Sequence, residues 1–304
     1  MMDQTKNVIF ETTISDFKSY LKLERSLSTN TISGYISDTS DLFVYLAKQK
    51  TESPEKAKIE DLTGFLSTLQ KSGISKRSQA RKISSMKSLY KFLENEGRIN
   101  KNPCDLLDAP KINFYLPTVL SFEEIMTIID SVDLTKNEGQ RNKTIIEVLY
   151  SCGLRVSELV NLRISDLFLP ESFIRVTGKG SKQRLVPIGD PAIKAIALYM
   201  DIRRTGKINK QAEDIVFLNR RGDKLTREMI FHIIKNQADM AGIKKDISPH
   251  TFRHSFASHL VENGADLRVV QEMLGHESIL TTEIYTHIDT KKWQEKILKF
   301  HPER

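Results

Sequence analysis

The sequence predicts a mainly α-helical protein of two domains, an N-terminal four-helix domain and a C-terminal, mostly helical domain with a small antiparallel β-sheet. Three observations carry this. Before residue 95, four stretches repeat their apolar residues at helical spacing. From Glu96 to Leu116 the period is lost, and Gly97, Pro103 and Pro110 punctuate the chain. Beyond it only Phe173 to Ile188 reads clearly as a hairpin, two β-rich runs around a turn containing glycines. The expected boundaries are 1–98, a linker at 99–116, and 117–304.

Ile14, Phe17 and Leu21 give the first helix over 12–25, and Ile32, Tyr35, Ile36, Leu42, Phe43 and Leu46 give the second over 30–48. A third buries Leu62, Phe65, Leu66 and Leu69 and stops at Gly73. Ser75 caps the fourth, where Ile83, Met86, Tyr90 and Leu93 form the apolar stripe and Arg77, Arg81, Ser84, Ser88 and Lys91 the opposite face.

In the second domain Ser121 and Glu124 form a capping box. A helix from Lys143 to Cys152 ends at Gly153, and another begins near Val156, which places Arg155 at the junction. Asp190 and Pro191 open a helix through Ile193, Ile196, Ala197 and Met200; Ile215 to Leu218 is a short strand or buried extended run; Thr226 caps the next helix. Ser248 and Pro249 start a helix that runs to Asn263 and Gly264. Asp266 caps one whose buried stripe is Leu267, Val270 and Leu274, closed by Gly275. Ser278 caps a last helix carrying Tyr285 about two turns in.

No apolar run is long enough to span a bilayer, and the N-terminus lacks a signal-peptide pattern, so a cytoplasmic protein is expected. Cys104 and Cys152 are isolated, without metal-ligand spacing. The net charge of +7 favours a polyanionic partner. Between Lys71 and Lys101 nine basic residues face two glutamates, an excess of seven that equals the whole chain's.

The forty residues from Ser248 to His287 hold five of the seven histidines, with Arg253 and Tyr285. His250 and Arg253 lie three apart at the positive end of a helix, His276 follows a helix C-terminus, and Tyr285 can point back toward them. Such donors around a phenol suit an anion, phosphate above all. Zinc fits poorly: Thr251 stands where an H-E-x-x-H helix needs glutamate, and Arg253 would set a cation beside the metal. His254 and His259 read as structural or surface histidines.

The run His250-Thr-Phe-Arg253-His, then Leu274-Gly-His276, then Tyr285 resembles box II of the tyrosine recombinases, the phage integrase family; Cys152-Gly-Leu-Arg155-Val-Ser-Glu-Leu resembles box I. From about Ile14 onward the chain is most similar to the bacterial Xer branch. The resemblance implies a core-binding domain whose basic face, Arg77, Arg81, Ser84 and Lys91, contacts double-stranded DNA. It also implies transesterification through a 3′-phosphotyrosyl intermediate, with no metal or other cofactor. Tyr285 would be the nucleophile; Arg155 and Arg253 would clamp the non-bridging oxygens, His276 would donate to the same phosphate, and His250 would accept or orient the phenolic proton. The hairpin is similar to the family's lysine-bearing β-turn, which makes Lys179 the general acid, with Lys182 as the alternative.

The leading reading is a recombinase acting at a chromosomal dif-like site to resolve dimers, in a tetrameric synaptic complex with itself or a paired recombinase, with a FtsK-type translocase as a further partner. A mobile-element integrase or transposon recombinase is the alternative within the class, and a non-catalytic DNA-binding regulator the alternative outside it. Trp293, Ile297 and Phe300 form one narrow apolar stripe near the chain end. The resemblance implies that this tail docks on a neighbouring protomer in the DNA-bound assembly, and in the free monomer it is expected to dock on its own domain or to be disordered.

Overall fold

The computed structural model describes residues 2–110, 118–178, 180, 182–275 and 299–302. The chain divides into two compact units, 1–115 and 116–304. The first contains α1 (Met2–Leu23), α2 (Thr29–Lys48), α3 (Ile59–Lys71) and α4 (Lys76–Asn95). The first helix begins ten residues earlier than its apolar triplet suggests, because Phe10 continues the stripe and packs on Phe43 at 4.9 Å between ring centroids. Ser28 and Ser75 cap α2 and α4 through their hydroxyls, each accepting from a backbone N–H three residues on. The stripe residues Ile83, Met86, Tyr90 and Leu93 are all buried. Of the stretch read as linker, residues 99–107 pack into this unit: Cys104 and Leu107 join its core, and Asn102 is buried with its side chain accepting from the Cys104 N–H.

The second unit starts with α5 (Phe122–Asp130), whose capping box is formed: Ser121 N–H donates to Glu124 Oε2 at 2.7 Å and Glu124 N–H to Ser121 Oγ at 3.2 Å. Then come α6 (Gly139–Cys152), α7 (Val156–Val160), a three-stranded antiparallel sheet of β1 (Leu167–Phe168), β2 (Phe173–Thr177) and β3 (Gln183–Pro187), α8 (Asp190–Thr205), α9 (Arg227–Met240), α10 (Pro249–Glu262) and α11 (Leu267–Leu274). The hairpin pairs Phe173 with Pro187 and Thr177 with Gln183. The two-residue strand β1 adds an edge that had no sequence signal. Ile215 to Leu218 is a buried extended run held by single bridges, Ile215 to Arg163 and Leu218 to Lys224. In α11 the buried stripe is Val270, Met273 and Leu274, while Leu267, expected inside, is 57% exposed: at the first helical position it lies a turn away from the packed end. Among the described residues no helix is long and apolar enough to cross a membrane.

At the end of the chain, Phe300 packs against the second unit's core and its carbonyl accepts from Asn263 Nδ2 at 2.8 Å. His301 is buried between Tyr150 and Phe256, and burial pulls its imidazole down to about 4. Trp293 and Ile297, the rest of the expected stripe, lie outside the described residues.

One buried charge in α6 gives a prediction. Glu147 is 5% exposed, and its Oε2 has no hydrogen-bond partner among the described residues. Burial pushes its carboxyl up to about 7, an effect that Lys143 only partly offsets. The folded-state pKa thus lies above the unfolded value of 4.5, so the native state holds the proton more tightly and stability falls as pH rises from about 4.5 through 7. Glu147→Gln is expected to stabilise the protein at pH 8 by on the order of 2–3 kcal/mol and to change little at pH 4. Thermal melts across that range check it; a gain that does not grow with pH contradicts it.

Candidate functional site

Three arginines converge on the C-terminus of α11. The carbonyl of Met273 accepts from Arg184 Nε at 2.7 Å, that of Leu274 from Arg253 Nη2, and that of Gly275 from Arg155 Nη2 at 2.9 Å. A helix end leaves its last carbonyls without intrahelical partners and carries a partial negative charge, so it accommodates cations that would otherwise repel one another. Gly275 makes the approach possible. It closes the helix at φ 67°, and a Cβ there would already stand 3.3 Å from Arg184 and 3.5 Å from Arg155.

The arginines come from different elements. Arg253 rises from the fifth position of α10 and is buried, and its Nη1 also donates to the Gly153 carbonyl at 2.8 Å. Gly153 is the left-handed end of α6, so one guanidinium ties together the termini of two helices. A Cβ at Gly153 would lie 2.5 Å from the Phe256 ring, so a larger residue there would displace the helix that carries Arg253. Arg155 sits at the N-cap of α7, immediately after the α6 end, as the sequence indicated.

Glu158 and Arg184 complete the cluster. The Glu158 carboxylate is buried and accepts from the Arg155 N–H at 2.9 Å, from Arg155 Nη1 at 3.0 Å, and from both terminal nitrogens of Arg184 at 2.7 and 2.9 Å. Burial alone would raise its pKa; the Arg184 hydrogen bonds and charge outweigh that and hold it below the usual carboxylate range. Sequence reasoning missed these two as a pair. Glu158 was visible only as part of box I, and Arg184 only as a strand residue. Three guanidinium charges against one carboxylate leave the cluster cationic. Its strain shows in Arg253, which burial and then the neighbouring Arg155 charge pull down to about 10. An anion placed there would relieve it.

His250 and Arg253 lie about one turn apart near the N-terminus of α10, but Arg253 points inward and the His250 ring is exposed. Partial desolvation, then the charges of His254, Arg253 and Arg155, lower the His250 pKa from 6.5, so at neutral pH it is an imidazole able to accept a proton. His254 is also exposed. His259 is structural: it is buried, with Nδ1 2.9 Å from the Tyr150 hydroxyl.

Lys179, His276 and Tyr285 lie outside the described residues. The residues preceding two of them are described, and both border the cluster. Gly275 precedes His276. Gly178 precedes Lys179; its N–H closes the hairpin turn on the Lys182 carbonyl at 2.8 Å, and a Cβ there would stand 3.6 Å from both Arg184 Nη1 and Glu158 Oε1. Lys182 is exposed.

The profile of the phage integrase family matches residues 118–292, and that of the phage integrase N-terminal SAM-like domain matches 14–97. The chain belongs to the phage integrase family. It is a tyrosine site-specific recombinase. The recombinase is 44% identical to tyrosine recombinase XerD of Chlorobaculum tepidum over 95% of its own length and 96% of that chain. To XerD of Staphylococcus haemolyticus it is 40% identical, over 96% and 99%. Among solved structures it superposes on XerH site-specific recombinase bound to its difH substrate, in a pre-cleavage complex, with a TM-score of 0.67 and 25% identity, covering 86% of this chain and 78% of that one.

In the recombinase's N-terminal unit the basic surplus is divided. Lys82 is buried against Asp38 and Asp41, and Arg98 pairs with Glu55, so both serve the fold. Arg77, Arg81, Ser84 and Lys91 are exposed along α4. Ser84 Oγ donates to its own helix at the Ala80 carbonyl, 3.1 Å away, and Lys91 pairs with Glu94 at 2.7 Å in solvent. Such a solvent-exposed pair adds little to stability and yields readily to a phosphate.

Proposed function

We propose that this recombinase cuts and rejoins DNA at a dif-like site through a 3′-phosphotyrosyl intermediate and so resolves chromosome dimers, working in a tetrameric synapse with itself or a paired recombinase. The cationic cluster carries the reading: Arg155 and Arg253, from boxes far apart in sequence, share one helix end, and the chain leaves that cluster directly into Lys179 and His276. The difH complex of XerH supports the class of site.

The Tyr285 oxygen attacks phosphorus and the 5′-oxygen leaves. Arg155 and Arg253, with His276, hold the non-bridging oxygens as charge builds on them. Neutral His250 takes or orients the phenolic proton, and Lys179 protonates the leaving oxygen. The phosphotyrosyl bond keeps the energy of the broken linkage, and the returning 5′-hydroxyl reverses the step. Lys179→Ala is expected to lose cleavage of ordinary DNA and to regain it on a 5′-bridging phosphorothiolate, whose sulfur leaves without a proton. Gel assay of the covalent adduct on both substrates decides this; no recovery, or recovery in Lys182→Ala instead, places the acid elsewhere.

The exposed face of α4 is the proposed DNA contact. Replacing Arg77 and Arg81 together by Ala should reduce the slope of log K against log salt by about one unit per lost phosphate contact. An unchanged slope would return this face to ordinary solvated surface.

A further inference from the structure

Asp38 is a buried carboxylate on α2 that bonds to α4 at Arg81, and it is shared by three donors from α4. Its Oδ2 accepts from Arg81 Nη1 and from Ser85 Oγ at 2.8 Å, and its Oδ1 accepts from Lys82 Nζ at 3.1 Å. Arg81 Nη1 also donates to the Gly34 carbonyl at 3.3 Å. The Asp38 side chain is 1% exposed, whereas that of Arg81 is 49% exposed. One nitrogen of the guanidinium is therefore fixed inside the unit while half of the side chain stays in water. Arg77, one turn earlier on the same face, has no ion pair among the described residues.

We propose that Asp38 is a positioning residue for DNA binding: from α2 it orients the Arg81 guanidinium so that its outer N–H groups meet a DNA phosphate. The inference rests on the reading of α4 as a DNA face. A free arginine loses rotamer freedom when it grips a phosphate, and an arginine already held by a planar carboxylate has lost that freedom in the fold. Lys82, itself buried, shares the same carboxylate. It occupies the other carboxylate oxygen and also bonds Asp41 Oδ2 at 2.5 Å, so Asp38 is not neutralised by Arg81 alone. The hydrogen bonds to Asp41 and Asp38 outweigh the burial of Lys82 and keep its pKa raised, so it stays charged.

The alternative role for Asp38 is to staple α2 to α4, and a double-mutant cycle separates the two. Lys82→Met serves as background, because it removes the buried cation that loss of Asp38 would strand. Asp38→Ala, Arg81→Ala and the pair are added to it, and binding to a short fluorescein-labelled duplex of mixed sequence is measured by anisotropy across a salt series, with a thermal melt of each variant. Positioning predicts that Asp38→Ala and Arg81→Ala each weaken binding by about tenfold and lower the salt slope by about one unit, and that the pair is no weaker than Arg81→Ala alone. Additive losses, or a lower melting temperature with unchanged affinity, overturn it in favour of the staple. Where Arg81→Ala itself leaves affinity and slope unchanged, the DNA-face reading fails, and the role of Asp38 with it. A loss with Arg81→Ala but none with Asp38→Ala rejects Asp38 alone. Asp38→Asn, which keeps the shape and removes the charge, repeats the cycle if the alanine variant does not melt cooperatively; failure of both to fold makes Asp38 a core residue and overturns the proposal.

Discussion

Tyr285→Phe is expected to bind its DNA with wild-type affinity and to form no covalent adduct, the largest single effect of any substitution in this chain. Only one oxygen is removed. Phenylalanine keeps the ring, and the groups proposed to hold phosphate, Arg155 and Arg253, are fixed by Glu158, Gly153 and the end of α11. Without the phenolic oxygen no bond to phosphorus can form, so cleavage of a nicked duplex should fall below detection while mobility-shift affinity is unchanged. Covalent trapping of DNA by this variant would remove Tyr285 as nucleophile. Loss of binding together with cleavage would instead show that the hydroxyl supports the fold or the DNA interface.

Local rules made much of the fold legible. Ser75, Ser121, Thr226 and Asp266 each cap the helix they were read to start, and Gly153 and Gly275 each adopt the left-handed closing conformation. What escaped were consequences of three-dimensional neighbours. Residues 99–107 lack any period, yet Cys104 and Leu107 fill the first unit's core, since irregular chain can be buried wherever its backbone groups find partners. Lys82 and Arg98 counted toward a basic surface, but carboxylates from other helices draw them inward. Within the site, box I and box II were readable as strings. Their joint was not: the Glu158–Arg184 pair links two residues 26 positions apart, and no sequence spacing announces a partner supplied by a strand.

Arg253→Lys carries the second large effect, because it keeps the charge and removes the fork. The guanidinium spans two carbonyls on separate helix ends, Gly153 O and Leu274 O, and uses two of its five donors there. An ammonium is a single compact point that reaches less far than the guanidinium fork, and it can satisfy one of them at most. The carbonyl left behind is buried, and losing one hydrogen bond to a charged group there should cost about 1.5–3 kcal/mol of stability. Catalysis should suffer more. The donors that remain to Arg253 are aimed by those two bonds, and a lysine tethered to one carbonyl would not hold them on a phosphate oxygen. Loss of one such preorganised donor is worth about 10²–10³ in rate. Single-turnover cleavage of a nicked duplex should therefore slow by that factor, while DNA affinity is expected to change little, because the contacts proposed along α4 are untouched. Burial and the Arg155 charge already pull the Arg253 guanidinium down to about 10, and a lysine, with a lower intrinsic pKa, would be pulled into a range where it loses its proton. The variant's cleavage rate is accordingly expected to fall further as pH rises above neutrality, over a range where the wild-type guanidinium stays charged. A lysine variant that cleaves within tenfold of wild type at every pH would show that charge alone suffices at this position and that the two-carbonyl tether is structural.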